Sequence, residues 1–174
     1  ASQGAATTAW GTLLALAGGH CAVDLCSGIW PVFKTLAHLD IATAGLIATV
    51  GSMTGNGLQL AFGVLADRGW RKRLIVTGVA VAGTVTLVPW AVRSYLIMGA
   101  LVLVTSVGSA AFHPSATGAA ANLSRQRVGF MVALFLSGGY IGYALSQFLF
   151  SAVYESAHTL TPVIALLPLA MAAA

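Results

Sequence analysis

The chain has 174 residues, of which 58% are hydrophobic and 7% charged, with a formal net charge of +4. Soluble domains carry about 25% charged residues, so this composition cannot cover a water-soluble fold with polar groups. Nucleic-acid binding is excluded as the source of the positive charge, because the basic residues flank apolar stretches and lack interleaved aromatics.

A bilayer core about 30 Å thick is crossed by about 20 apolar residues in a helix. Six stretches of that kind are expected to span, at about 10–33, 41–66, 74–92, 95–121, 128–154 and 159–174. None has the in–out alternation of a membrane barrel, so the fold class is an all-α membrane protein in one six-helix domain.

The first stretch carries His20 and Asp24, four residues apart and so on one helix face, with Pro31 downstream. Cys21 and Cys26 lie on other faces of the same helix and do not fit disulfide geometry. A metal site drawn from His20, Cys21, Asp24 and Cys26 does not converge, so no metal and no cofactor is expected. The second stretch adds Asn56 and Gln59, with Gly51 and Gly55 at the spacing that lets helices approach closely. Between the second and third comes "GVLADRGWRKRLIV", five charged residues within seven positions. The third and sixth stretches hold no ionisable residue, which suits helices facing lipid. The fourth holds His113 directly before Pro114. Two readings apply to that histidine: it lines a cavity, or it satisfies the carbonyl that the proline frees. The fifth has Gly138, Gly139 and Gly142 as packing glycines, with Tyr140, Tyr143 and Gln147 as candidate substrate contacts.

Ionisable groups inside a membrane are expensive and face a bundle interior or a wet cavity. His20 and Asp24 are therefore candidates for proton coupling, against the plainer reading of a structural hydrogen-bonded pair. His113, Gln59 and Asn56 are candidates for lining the cavity. Polar members occupy matching places in spans 1–3 and 4–6, the pattern of a 3+3 inverted repeat. Arg68, Arg71, Lys72, Arg73, Arg125 and Arg127 fall in the even loops, whereas only Lys34 and Arg93 fall in the odd ones. By the positive-inside rule the even loops and both termini face the cytoplasm.

The charged loop resembles the signature loop of the major facilitator superfamily, with Gly63, Asp67, Arg68, Arg71 and Lys72 on its positions. The resemblance implies a latch that holds the two halves of a transporter in one state; simple topology anchoring is the alternative. Here Gly69 falls one place early and Trp70 precedes the basic cluster. "GGHCAVDLCSGIWPVF", Gln59 and the Phe112-His113-Pro114 element resemble the fosmidomycin-resistance type of efflux protein within that superfamily. That likeness implies the N-terminal half of a twelve-span transporter in the bacterial inner membrane, working by alternating access and exchanging a small molecule for protons. Its second six-helix half comes from the same polypeptide or from a second copy. The absence of an initiator Met and the apolar ending "LLPLAMAAA" agree with a fragment whose C-terminal half is absent. The family's span-four arginine and span-five proline have no counterpart, which leaves proton-coupled import as an alternative to export. A membrane scaffold or assembly factor of the same fold is a third reading. No paired catalytic motif is present, so no enzyme is expected.

Overall fold

The computed structural model describes residues 2–173, with side chains from Thr8 onward. Ala174, the end of the sixth expected stretch, lies outside them. In hydrocarbon every backbone polar group must find its partner within the chain, and these apolar residues accordingly form helices. They are α1 (Ser2–Ser27), α2 (Ile29–Leu36), α3 (Ile41–Leu65), α4 (Arg71–Ala82), α5 (Tyr95–Ala121), α6 (Val128–Ala157) and α7 (Leu166–Ala173). A π-helical turn, Ala66–Trp70, joins α3 to α4. Two 3₁₀ segments, Gly83–Ala91 and His158–Ala165, extend α4 and lead into α7.

Four stretches are long and apolar enough to cross a membrane: Thr8–Leu36, Ile41–Ala91, Tyr95–Ala121 and Val128–Ala173. The first combines α1 and α2 across a break at Gly28. Pro31 has no N–H to offer the Ser27 carbonyl, so the helix is interrupted where that bond would fall.

The second and fourth stretches reverse direction, as the neighbours along α5 and α1 show. Going down α5, Gly99 lies beside Ile47, Val102 beside Gly51 and Pro114 beside Gly63, so α3 runs parallel to it. Gly118 lies beside Arg71 and Gly108 beside Gly78 and Ala82, so α4 runs antiparallel. The turn between them has Gly69 at φ 97°, in the left-handed region where a side chain costs roughly 1–2 kcal/mol. Along α1, Ala17 meets Gly138 and Cys21 meets Gly142, so α6 runs parallel to it. Beyond Ala157 the chain returns: Thr161 donates to the Thr86 carbonyl at 3.0 Å, and Met171 reaches back to Gly18.

Glycines set the closest approaches. A side chain at Gly138 or Gly142 would strike the α1 backbone at Ala17 or Cys21, and one at Gly78 would lie 2.7 Å from the Gly108 carbonyl oxygen. Gly51 and Gly55 give room to Val102 and Ser106 on α5. Between these contacts sits a core that includes Leu13, Val23, Phe33, Val79, Val85, Phe112, Phe135 and Phe150. The 3₁₀ continuation of α4 belongs to that core, with Val85, Thr86 and Val88 buried, so the absence of ionisable groups in this stretch does not make it wholly outward-facing. Outside, α3 exposes Leu46, Val50, Met53 and Leu60, and α6 exposes Phe130, Ile141 and Phe148, an apolar surface suited to lipid or to further helices.

The two kinds of loop gather at opposite ends. The Asp40 backbone N–H donates to the Tyr95 hydroxyl at 2.9 Å, so the connections before α3 and α5 adjoin. Asp40 caps α3 by accepting from the Thr43 hydroxyl at 2.6 Å and its N–H at 2.8 Å, and these bonds hold its carboxyl below the usual carboxylate range.

Candidate functional site

Two helices bring three ionisable side chains to one point. His20 and Asp24 lie one turn apart on α1, and the four-residue spacing aligns them. His20 Nε2 is 3.3 Å from Asp24 Oδ2. From α5, His113 Nε2 reaches Asp24 Oδ1 at 3.2 Å. Asp24 therefore sits between two imidazoles, with one carboxylate oxygen facing each.

The surroundings fix both rings. His20 is buried and stacks on Phe135 of α6, with ring centres 4.3 Å apart. Its Nδ1 donates to the Phe135 carbonyl oxygen at 3.0 Å. His113 Nδ1 donates to the Ser109 carbonyl oxygen at 2.8 Å, and the Ser109 hydroxyl lies 3.1 Å away. The carbonyl freed by Pro114 is that of Ala110, four residues before it. His113 thus bonds a neighbouring carbonyl rather than the freed one, and its other nitrogen goes to Asp24. Gly139 opens the space on α6: a methyl there would lie 2.5 Å from His20 Nε2 and 2.6 Å from Asp24 Oδ2. Asp24 and His113 keep side-chain exposures of 21% and 24%, so the cluster is reachable from one side.

The hydrogen bonds determine how many protons this arrangement can hold. A carbonyl oxygen only accepts, so each ring carries its proton on Nδ1. Neutral rings then turn bare Nε2 lone pairs toward an ionised carboxylate, and both contacts are repulsive. One added proton satisfies one contact and makes the cluster neutral. A second satisfies the other and leaves one positive charge. The cluster can change its charge by two without moving a heavy atom far.

Beside it lies a cavity of about 330 Å³, lined by Trp30, Gly51, Asn56, Gln59, Ser109 and Tyr143 among others. Ser109 belongs to both, since its hydroxyl faces His113 and its side chain lines the cavity. Gln59 Nε2 and Asn56 Oδ1 approach within 3.5 Å. Tyr140 is 74% exposed and points away, and Gln147 contacts Ser146 at 3.3 Å outside the cavity.

At the far end of α3, Asp67 accepts from Arg71 Nη2 at 3.1 Å. Arg71 continues inward, and its guanidinium packs against Gly118 near the end of α5. Arg73 lies over the Trp70 ring at 5.0 Å. Among the described residues, Arg68 and Lys72 have no ion-pair partner. Gly63 faces Pro114, giving α3 and α5 their contact one turn above the loop.

Sequence reasoning left His113 between lining the cavity and satisfying the freed carbonyl, and missed its contact with Asp24. One signal was available: a carboxylate in a membrane helix needs a partner, and beyond His20 the spans offered His113. Ser109 and the carbonyl of Phe135 had no such signal, because serine and backbone look alike wherever they occur. The reciprocal packing of Gly78 and Gly108 was also missed; neither has a second glycine four residues away on its own helix.

Compared with known proteins, residues 7–174 match the family described as the Major Facilitator Superfamily. No curated protein and no solved structure gives a match.

Proposed function

From the premise that the chain belongs to the Major Facilitator Superfamily, we propose that it is one six-helix half of a proton-coupled exporter whose proton site is His20, Asp24 and His113. Members of the family are membrane transporters, not enzymes, so the chain works within a lipid bilayer on a small molecule. The observation that carries the finer reading is Asp24 held between two imidazoles beside a cavity that Asn56, Gln59 and Ser109 line.

The chain reversals at Gly69 and beyond Ala157 support six spans arranged as two inverted triplets. Their open apolar faces on α3 and α6 suit a second six-helix half, from the same polypeptide or another copy. The domain sits in the bacterial inner membrane with both termini cytoplasmic, in keeping with the bias of its basic loops.

In the outward-open state Asp24 and its two histidines take a proton from the outside. When the halves rock, the cluster faces the cytoplasm and releases it as substrate leaves in the opposite direction. Asn56, Gln59 and Tyr143 contact that substrate in the cavity, with Tyr140 and Gln147 acting from the surface that meets the second half. Asp67 and Arg71, with Gly63, Arg68 and Lys72, latch the cytoplasmic ends and part when the cavity opens inward. The likeness to the fosmidomycin-resistance type makes fosmidomycin the first compound to test.

The experiment is proton flux in everted vesicles carrying the full-length protein, followed with a pH-sensitive dye after fosmidomycin is added. Wild type is expected to release protons with substrate, and Asp24→Asn to lose that flux while still reaching the membrane. Undiminished proton-driven flux in Asp24→Asn would remove the cluster from the mechanism.

A further inference from the structure

We propose that His20, Asp24 and His113 also form a binding site for a divalent transition-metal cation of the zinc class, which occupies the position the exchangeable protons otherwise take. The inference shares its side chains with the proton site proposed above but rests on donor geometry alone.

Three donors from two helices face one another: His20 Nε2, an Asp24 carboxylate oxygen and His113 Nε2, all within 4.8 Å. Tetrahedral zinc, with bonds of about 2.0–2.1 Å, needs donors about 3.3 Å apart. The two histidine–aspartate separations, 3.3 Å from His20 Nε2 to Oδ2 and 3.2 Å from His113 Nε2 to Oδ1, are close to that spacing but run to different carboxylate oxygens. For one carboxylate oxygen to serve both rings it must turn toward the centre, and the separations still above that spacing, none beyond 4.8 Å, have to close by at most about 1.5 Å. His113 reaches the cluster from a separate helix on a partly exposed side chain, so that closure takes small rotations of its ring and of the Asp24 carboxylate.

The tautomers are those a metal requires. Both Nδ1 atoms donate to backbone carbonyl oxygens, of Phe135 and Ser109, leaving each Nε2 lone pair directed at the centre. A ligating histidine held through its other nitrogen by a carbonyl is the usual outer support of a protein metal site. Two imidazoles and one carboxylate favour zinc, cobalt or nickel over magnesium or calcium, which take all-oxygen ligands. Three protein donors leave a fourth position open on the reachable side, so the ion exchanges with solution instead of being sealed in. The other side chains around the cluster are Phe112 from α5, Phe135 from α6 and Cys21 from α1. None of these brings a further cation that would repel the metal.

The site was hidden in the sequence because two ligands on one helix are not enough, and the third lies 89 residues away.

The test is zinc binding to the purified, tag-free full-length protein in detergent, followed by calorimetry and by X-ray absorption at the zinc edge. One ion per chain is expected, with two imidazoles and oxygen in its first sphere. His113→Asn should weaken binding by more than about 10-fold, whereas His38→Asn, in an exposed turn, should leave it unchanged. Binding that His113→Asn does not weaken, or an absorption spectrum with fewer than two imidazoles, overturns the proposal, as does an absence of binding in wild type. The spectrum needs only wild-type protein, so the test holds even where a variant fails to fold. No substrate or gradient enters, so a failed proton-flux experiment leaves this result standing, and the reverse.

Discussion

At Asp24 a carboxylate faces a histidine on each side, and the backbone has already claimed the other nitrogen of both rings. An arriving proton or another cation would satisfy its two oxygens. Gly139 is the residue that permits this. A methyl there lies well inside van der Waals contact with His20 and Asp24, and a retreat of the imidazole would disturb its stacking on Phe135. Overpacking of this kind costs about 1–3 kcal/mol. Gly139→Ala is therefore expected to lower the thermal unfolding midpoint in detergent and abolish proton-driven flux. Gly57→Ala, with nothing within 4 Å, should do neither. A normal midpoint and normal flux in Gly139→Ala would mean the cluster is looser than its geometry suggests. At this scale the sequence was half legible. The pairing of His20 with Asp24 follows from helix periodicity alone, because four residues make one turn. His113 could be named as an intramembrane polar group but not placed, since which turn of α5 meets α1 depends on packing across 89 residues. Gly139 read as one of three packing glycines, and nothing local separates its role from that of Gly138.

Helices in this chain are paired by what their surfaces lack. Gly138 and Gly142 let α6 lie against the backbone of α1, and Gly78 and Gly108 do the same for α4 and α5. The directions of the elements follow from those contacts and carry a prediction. Because α3 and α5 run parallel, their C-terminal ends and the loops after them share one side. The connections before them share the other, as the bond from Asp40 to Tyr95 requires. Single cysteines placed at Trp70 and Ser124 should react with a membrane-impermeant maleimide from the cytoplasmic side only, and those at His38 and Ser94 from the outer side only. Labelling of Trp70→Cys and Ser124→Cys from opposite sides would contradict the arrangement. That long apolar helices make up the chain was readable, because apolar length and charged breaks mark a membrane helix more clearly than a soluble one. The interruptions were less so. Pro31 breaks its helix at Gly28, whereas Pro114 sits inside α5 without ending it. The difference is tertiary: α5 is packed on both sides by α3 and α4, and neighbouring helices hold a proline-containing span together.

Across the whole molecule, two groupings of ionisable side chains bear on the proposed function. One is the cluster with its cavity, joined through Ser109. The other is the loop at the end of α3, where Asp67 and Arg71 pair and Arg71 reaches back to α5. Since α5 passes through both, it is the element through which the proposed latch and proton site would be coupled. The general class was plain from composition: so few charges leave no choice but a bilayer. The family was legible from one loop, whose charges stand out against an apolar chain. The cavity was not, because its walls mix small, apolar and amide side chains drawn from α1, α2, α3, α5, α6 and the 3₁₀ continuation of α4. The claim on which the rest depends is that the carboxyl of Asp24 and the rings of His20 and His113 exchange protons as one unit. The direct measurement is pH-difference infrared spectroscopy of the full-length protein in membranes, with ring-labelled histidine. Carboxyl and imidazole bands that titrate together, and vanish together in Asp24→Asn, are the predicted result; histidine bands that titrate unchanged in Asp24→Asn would contradict it.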